Sequence, residues 1–318
     1  MHQMNKLIAI NSETENIISY LDEKGVVHLK NVFNKDQIDI IKDIYTTSWN
    51  EIKNNFPTDW ITRKYKANCH KYDDFIGLDL YNNKKFTYYK NTEMLDMGKN
   101  RYDFIYNLDS ITETIGLPEI ITNIMDKLLQ CEYDIRWGGL PVESIHNITD
   151  ADTPGHNGRD INGHWHRDAY SLFNNETIDL ALPPFYFTML IPLQYTDETC
   201  GGTEFILESH KLNLTNKNIT NTETLLEWIQ NDTPERYIPK LNVGDICIFH
   251  GYTIHRGLGI NAFDSERIPR KDLEKDLKRD VKRDVKRDVK RDVKRDMLYI
   301  VCKKNWYNDE PTENYNEK

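Results

Sequence analysis

His166 and Asp168, within Gly163-His-Trp-His-Arg-Asp168, are spaced so that both side chains project from one face of an extended strand. Further on, Gly244-Asp-Ile-Cys-Ile-Phe-His-Gly-Tyr-Thr-Ile-His-Arg-Gly257 offers another imidazole, His255, beyond a strand-like apolar run. Two imidazoles and one carboxylate on one side of a metal, with open positions opposite, form the ligand set that non-haem Fe(II) uses to activate O2. The triplet alone decides nothing. Ten histidines and 51 acidic residues among 318 make more than one His-x-acid triplet expected by chance, and the sequence holds one. Its weight comes from the later histidine, in a segment expected to run antiparallel within the same barrel. Two neighbours compete for the role. His164 has no carboxylate two residues on, so it is assigned to packing or to supporting a ligand. His250 ends the Ile246–Phe249 run, where a structural role is natural, whereas His255 leads into Arg-Gly and a turn.

The elements that must position these groups are legible in part. Gly25–Phe33 reads as a strand following a polar leader, and Asn34 opens a helix through Tyr45 with Ile38, Ile41 and Ile44 on one face. Asn34 and Gln37 have the spacing of a capping box, and Phe33 and Ile38 that of a hydrophobic staple. Residues 46–115 show no sustained period and read as loops, short strands and short helices covering the core. Pro118 opens an amphipathic helix carrying Ile120, Ile121, Ile124, Met125, Leu128 and Leu129. From Tyr133 the texture turns to strands: Asp134–Leu140, the segment around His164–Asp168, Pro184–Tyr195, Gly202–Glu208, Gly244–Gly251 and Leu298–Tyr307. One short helix, residues 221–230, interrupts them. Such a series without long intervening helices predicts a sandwich or barrel.

Composition limits what surrounds this core. No apolar stretch approaches the length of a membrane span, and the amino-terminal apolar run, Leu7–Ile10, is too short for a secretory signal. Five scattered cysteines without a Cys-x-x-Cys pair fit reduced thiols and a cytoplasmic protein. A net charge of −10 speaks against nucleic acid as a partner. Residues 275–296 are a Lys-Arg-Asp-Val repeat, read as a solvated helix or loop inserted between two strands. Trp165, Arg167 and Tyr170 flank the metal motif, where packing is expected before substrate contact. Ser209-His210 is expected to hydrogen-bond structurally, Asp245 to shape the turn into its strand, and Cys69-His70 to stand apart from any metal.

With these residues in view, the chain resembles the phytanoyl-CoA dioxygenase family of Fe(II)/2-oxoglutarate oxygenases over about residues 20–308, the repeat apart. Four segments carry the likeness: LDEKGVVHLKNVFNKDQID, GHWHRD, DETCGGTEFILESHK, and GDICIFHGYTIHRG with the later MLYIVCKKNWY. The resemblance implies a mainly β fold with flanking helices around a double-stranded β-helix core of jelly-roll or cupin-like type. It would form one oxygenase domain over 1–318, with a helical and covering region at 1–132, the core at 133–308 interrupted by the repeat, and a polar tail at 309–318. It implies His166, Asp168 and His255 as the catalytic iron ligands, with 2-oxoglutarate as cosubstrate, O2 as oxidant and ascorbate in support.

The family also places an arginine shortly after the distal histidine, because a planar guanidinium grips a carboxylate through two parallel hydrogen bonds. The repeat interrupts that spacing here, leaving Arg267, Arg270 and Arg295 as candidates. Arg295 directly precedes the Met297–Cys302 strand and is preferred, with Arg270 second. The implied reaction converts 2-oxoglutarate to succinate and CO2 and hydroxylates a small-molecule or lipid-derived substrate. Halogenating relatives carry a small residue where Asp168 stands. Two other readings fit the pattern: a β-barrel that has lost turnover, and a cupin-type metalloprotein that does not use 2-oxoglutarate.

Overall fold

The computed structural model describes residues 14–55, 86–89, 92–98, 101–104, 108–130, 132–141, 165–169, 176–220, 222–258 and 295–307. Arg270, His164, Tyr170, Cys69-His70 and the repeat as far as residue 294 lie outside them.

Four helices lead into the core. They are α1 (Thr14–Lys24), α2 (Lys35–Asn55), α3 (Ser110–Ile115) and α4 (Glu119–Leu129). The capping box forms as its spacing predicts. Gln37 N donates to Asn34 Oδ1 at 2.9 Å and Asn34 N to Gln37 Oε1 at 3.0 Å, while the staple residues Phe33 and Ile38 are both buried. The helix does not stop at Tyr45. Thr46, Thr47 and Ser48 are indifferent helix formers, but Tyr45 and Trp49 continue the apolar stripe and pack on Phe104, ring centroids 5.4 Å away in each case, so tertiary packing overrides local propensity. The polar leader is also corrected. Ile17 and Leu21, four apart and buried, make 14–24 a helix.

An eight-stranded antiparallel sheet, ordered β1-β9-β6-β11-β5-β4-β3-β2, is built from β1 (Val26–Leu29), β2 (Phe86–Tyr89), β3 (Thr92–Gly98), β4 (Arg101–Phe104), β5 (Tyr133–Gly139), β6 (Tyr186–Pro192), β9 (Ile246–His250) and β11 (Met297–Lys304). A second sheet, β10-β7-β8, contains β7 (Thr203–Ile206), β8 (Arg236–Tyr237) and β10 (His255–Gly257). Strands β2 to β4 lie within residues 46–115, where loops, short strands and short helices are expected without bounds. Two further α-helices, α5 (Glu176–Ala181) and α6 (Thr222–Asp232), and a 3-10 turn at Ser209–Lys211 complete the described elements, α6 lying close to the helix expected at 221–230.

The central strands β6, β9 and β11 of the large sheet are buried on both faces, which is why they read as continuous hydrophobic runs. Phe187, Met189 and Ile191 of β6, Ile246 and Ile248 of β9, and Leu298, Ile300 and Cys302 of β11 pack under α1, α2 and α4. The alternate residues Leu190, Cys247, Phe249 and Met297 face Phe205 of the small sheet. Two sheets packed across this inner cluster, with helices outside the larger one, give the strand-rich antiparallel architecture expected of a double-stranded β-helix core. Among the described residues no helix is long and apolar enough to cross a membrane.

Candidate metal centre

The small sheet positions the first imidazole. In β10, His255 pairs with Phe205 of β7 on one side. On its other side it exchanges two backbone hydrogen bonds with His166, at 2.9 and 3.0 Å. The two histidines therefore stand opposite each other in a closed antiparallel pair, their ring centroids 4.2 Å apart.

The strand expected around His164–Asp168 is reduced, in the described residues, to this one bridge followed by a bend. At the bend, Asp168 N and Ala169 N both donate to Gly251 O, at 2.9 and 3.0 Å. Turning the chain here brings Asp168 Oδ1 to 3.6 Å from His166 Nε2 and 3.4 Å from His255 Nε2. One potential ligand atom from each of the three lies within 4.8 Å of the others. Among the described residues this is the one such cluster of three or more His, Cys, Asp or Glu side chains.

The surroundings set the chemistry of each donor. His255 Nδ1 lies 3.0 Å from Thr253 O. A carbonyl only accepts, so the Nδ1–H must donate, and the Nε2 lone pair is left to face the cluster. The ring is held between Phe249 and Phe205, at 4.6 and 5.7 Å. His255 is buried, whereas the His166 and Asp168 side chains retain 36% and 21% of their exposure, so the cluster opens on their side. Two nitrogens and one carboxylate oxygen converging on a partly open face fit a divalent first-row metal with free coordination positions.

Arg295 is buried and donates through Nη1 to Gly201 O, on the approach to β7. It lies two residues before Met297 of β11, which faces the cluster between the sheets, so the pleat directs Arg295 toward the same interior. His255 borders that interior through Phe205 and Phe249.

The neighbouring residues resolve into structural parts. His250 stands outside the cluster. Its Nδ1 accepts the Tyr252 N–H at 3.0 Å, and its ring meets Phe187 edge-on. Burial, with His210 and Arg167 nearby, pushes its pKa down to about 3, so it stays neutral while the unfolded residue titrates near ~6.5. Stability from neutral His250 is then fully present above pH ~6.5 and lost as pH falls toward about 3, by up to ~1.4 kcal/mol per pH unit for one proton. Denaturant unfolding between pH 7 and 5, above the carboxylate range, should show this slope, and His250→Gln should reduce it, leaving the part due to His210, whose burial also lowers its pKa.

Trp165 is buried with Ile206, Leu214 and Ile254, and Arg167 donates to Ser209 O and Leu212 O at 3.1 and 2.7 Å. Trp165 thus packs, and Arg167 ties the Ser209–Leu212 turn to the segment that carries His166. Ser209 Oγ donates to Ile206 O at 2.6 Å and accepts from Ile254 N at 2.8 Å, the structural role expected of it. Asp245 accepts the Asn242 and Asn31 N–H groups at 2.8 and 3.0 Å, fixing the turn into β9.

Sequence reasoning missed a brace across the centre. Arg256, next to His255, donates through Nε to Glu204 Oε2 at 2.9 Å and places Nη2 at 2.8 Å from the same oxygen. It also covers the Trp165 ring at 4.5 Å. Glu204 is 2% exposed. The brace thus ties the residues beside both imidazoles to β7. Glu204→Ala strands the Arg256 guanidinium and should cost about 3 kcal/mol or more in denaturant unfolding; unchanged stability would contradict this reading. The only sequence signal was a lone acid in an apolar strand, legible once the β7–β10 register is known.

The phytanoyl-CoA dioxygenase family model matches residues 21–265. A search of curated proteins found no significant match. Among solved structures, the chain is similar to the epimerase SnoN in complex with Fe3+, α-ketoglutarate and nogalamycin RO, at 11% identity and a TM-score of 0.51, covering 92% of this chain and 83% of that one. It is likewise similar to the non-haem α-ketoglutarate-dependent carbocyclase SnoK of nogalamycin biosynthesis, at 13% identity and TM-score 0.51, covering 92% and 85%. At these identities the likeness establishes the fold.

Proposed function

The chain belongs to the phytanoyl-CoA dioxygenase family, and from that premise we propose that it is an Fe(II)- and 2-oxoglutarate-dependent dioxygenase that hydroxylates a small-molecule or lipid-derived substrate. The observation that carries the reading is the convergence of His166, Asp168 and His255 within 4.8 Å. These three would hold the iron, and the bound metal would supply O2 activation coupled to oxidative decarboxylation of 2-oxoglutarate.

The chain's own residues do the rest. His255 presents Nε2 because Thr253 O engages Nδ1, and the carboxylate of Asp168 offsets part of the metal's charge. Arg295 receives the remote carboxylate of 2-oxoglutarate through its guanidinium, supported by its burial beside the inner cluster. Phe205 and Phe249 keep water from the His255 side. Asp168 favours hydroxylation over halogenation, since a carboxylate there occupies the position a halide would need. We place the enzyme in the cytoplasm, in keeping with the free thiols of Cys200, Cys247 and Cys302.

Purified protein supplied with Fe(II), ascorbate and 2-oxoglutarate should release succinate slowly without substrate. A substrate screen should find compounds that accelerate this release and gain one oxygen atom. No succinate under any of these conditions would remove the proposal.

A further inference from the structure

Tyr186, Thr188 and Leu190 share the inward face of β6, and Thr188 sits between Phe249 of β9 and Val301 of β11 at 5% exposure. Valine would match its shape and suit the strand equally, so a buried hydroxyl costs stability unless it forms a bond. Its partner is Asp168: Thr188 Oγ1 donates to Oδ2 at 2.6 Å, a short distance typical of a charged acceptor. The other oxygen, Oδ1, is the one that approaches both imidazoles.

We propose that Thr188 is a positioning residue of the metal centre, which holds Oδ2 aside so that Asp168 offers the ion Oδ1 alone. This rests on the reading of His166, Asp168 and His255 as ligands. A carboxylate with both oxygens free can chelate, taking a coordination position that a bidentate cosubstrate needs. Asp168 lies on a bend held by Gly251 O, so its backbone is fixed but its carboxylate would still turn about χ2. Thr188 supplies the missing constraint from a strand paired on both sides, the rigid kind of support a metal ligand requires. Because the donor is neutral, it orients the carboxylate without adding a cation that would compete with the metal.

Anaerobic titration with Co(II) alone, followed by visible d–d absorption, tests this in wild type, Thr188→Val, Thr188→Ala and Thr188→Ser, with a thermal melt of each. The two hydroxyl-free variants should bind Co(II) about 10- to 100-fold more weakly, the range for loss of a ligand's supporting partner, with an altered spectrum as the carboxylate turns. Thr188→Ser should keep the wild-type affinity and spectrum. A folded valine or alanine variant that matches wild type in both overturns the role of Thr188 alone. Wild type that binds no Co(II) overturns the metal centre and this proposal with it. Unfolding of both hydroxyl-free variants also counts against the proposal, which gives the Thr188 hydroxyl a single hydrogen bond, too little for its loss to unfold the protein.

Discussion

Asp168→Ala should reduce succinate release from 2-oxoglutarate to background while leaving a cooperatively folded protein. The carboxylate oxygen stands 3.4 and 3.6 Å from the two imidazole nitrogens, so its removal leaves two neutral donors and no anion to balance a divalent ion. Losing a supporting partner of a ligand costs about 10- to 100-fold in affinity or activity, and loss of the ligand itself should exceed that range. The carboxylate keeps a fifth of its exposure and is tied to the fold through Thr188 Oγ1, so a stability loss of no more than ~1–3 kcal/mol is expected. Coupled measurement of succinate and of the melting transition separates the two effects. Succinate release unchanged by the substitution would remove Asp168 from the ligand set.

Arg295→Ala should raise the KM for 2-oxoglutarate by on the order of 30-fold or more, corresponding to the ~2 kcal/mol lower bound for truncating one partner of a buried, hydrogen-bonded charge pair. Arg295 is 7% exposed, and its neighbour Met297 opens β11 toward the inner cluster. The strand register therefore fixes its side chain whatever the length of the repeat before it. Arg270→Ala is the matched control and should leave the KM unchanged. The reverse pattern, with Arg270 sensitive and Arg295 silent, would move the carboxylate-binding role across the repeat and make Arg295 a brace for Gly201 O.

What could be read from the sequence was what depends on near neighbours. The capping box of α2 joins residues three apart, so its two hydrogen bonds were legible from Asn34 and Gln37 alone. The strand series after Tyr133 was visible because β6, β9 and β11 are buried on both faces and carry unbroken apolar runs. His166, Asp168 and His255 stand out in the sequence as a candidate set, and the structure brings one potential ligand atom of each within 4.8 Å of the others, but their local geometry is not legible there. A straight strand through His166 and Asp168 is replaced by a bridge and a bend, because Gly251 O captures two successive N–H groups.

Contacts spanning the fold were silent in the sequence. Thr188 reaches Asp168 across 20 residues, and Arg256 reaches Glu204 across 52. Each depends on the register of strands whose pairing no local pattern encodes. The extra length of α2 and the presence of α1 went unread for a related reason. Both are secured by apolar stripes packed on other elements, which outweigh the polar texture of the segments themselves.

Whether the side chains at 166, 168 and 255 hold a single metal ion is decided by the anomalous scattering of Mn(II) in crystals grown anaerobically with Mn(II) and 2-oxoglutarate. One peak is predicted, within bonding distance of Nε2 of His166, Nε2 of His255 and one carboxylate oxygen of Asp168. A well-ordered Mn(II) bound elsewhere, or three side chains too far apart to share one ion, would rule out this ligand set.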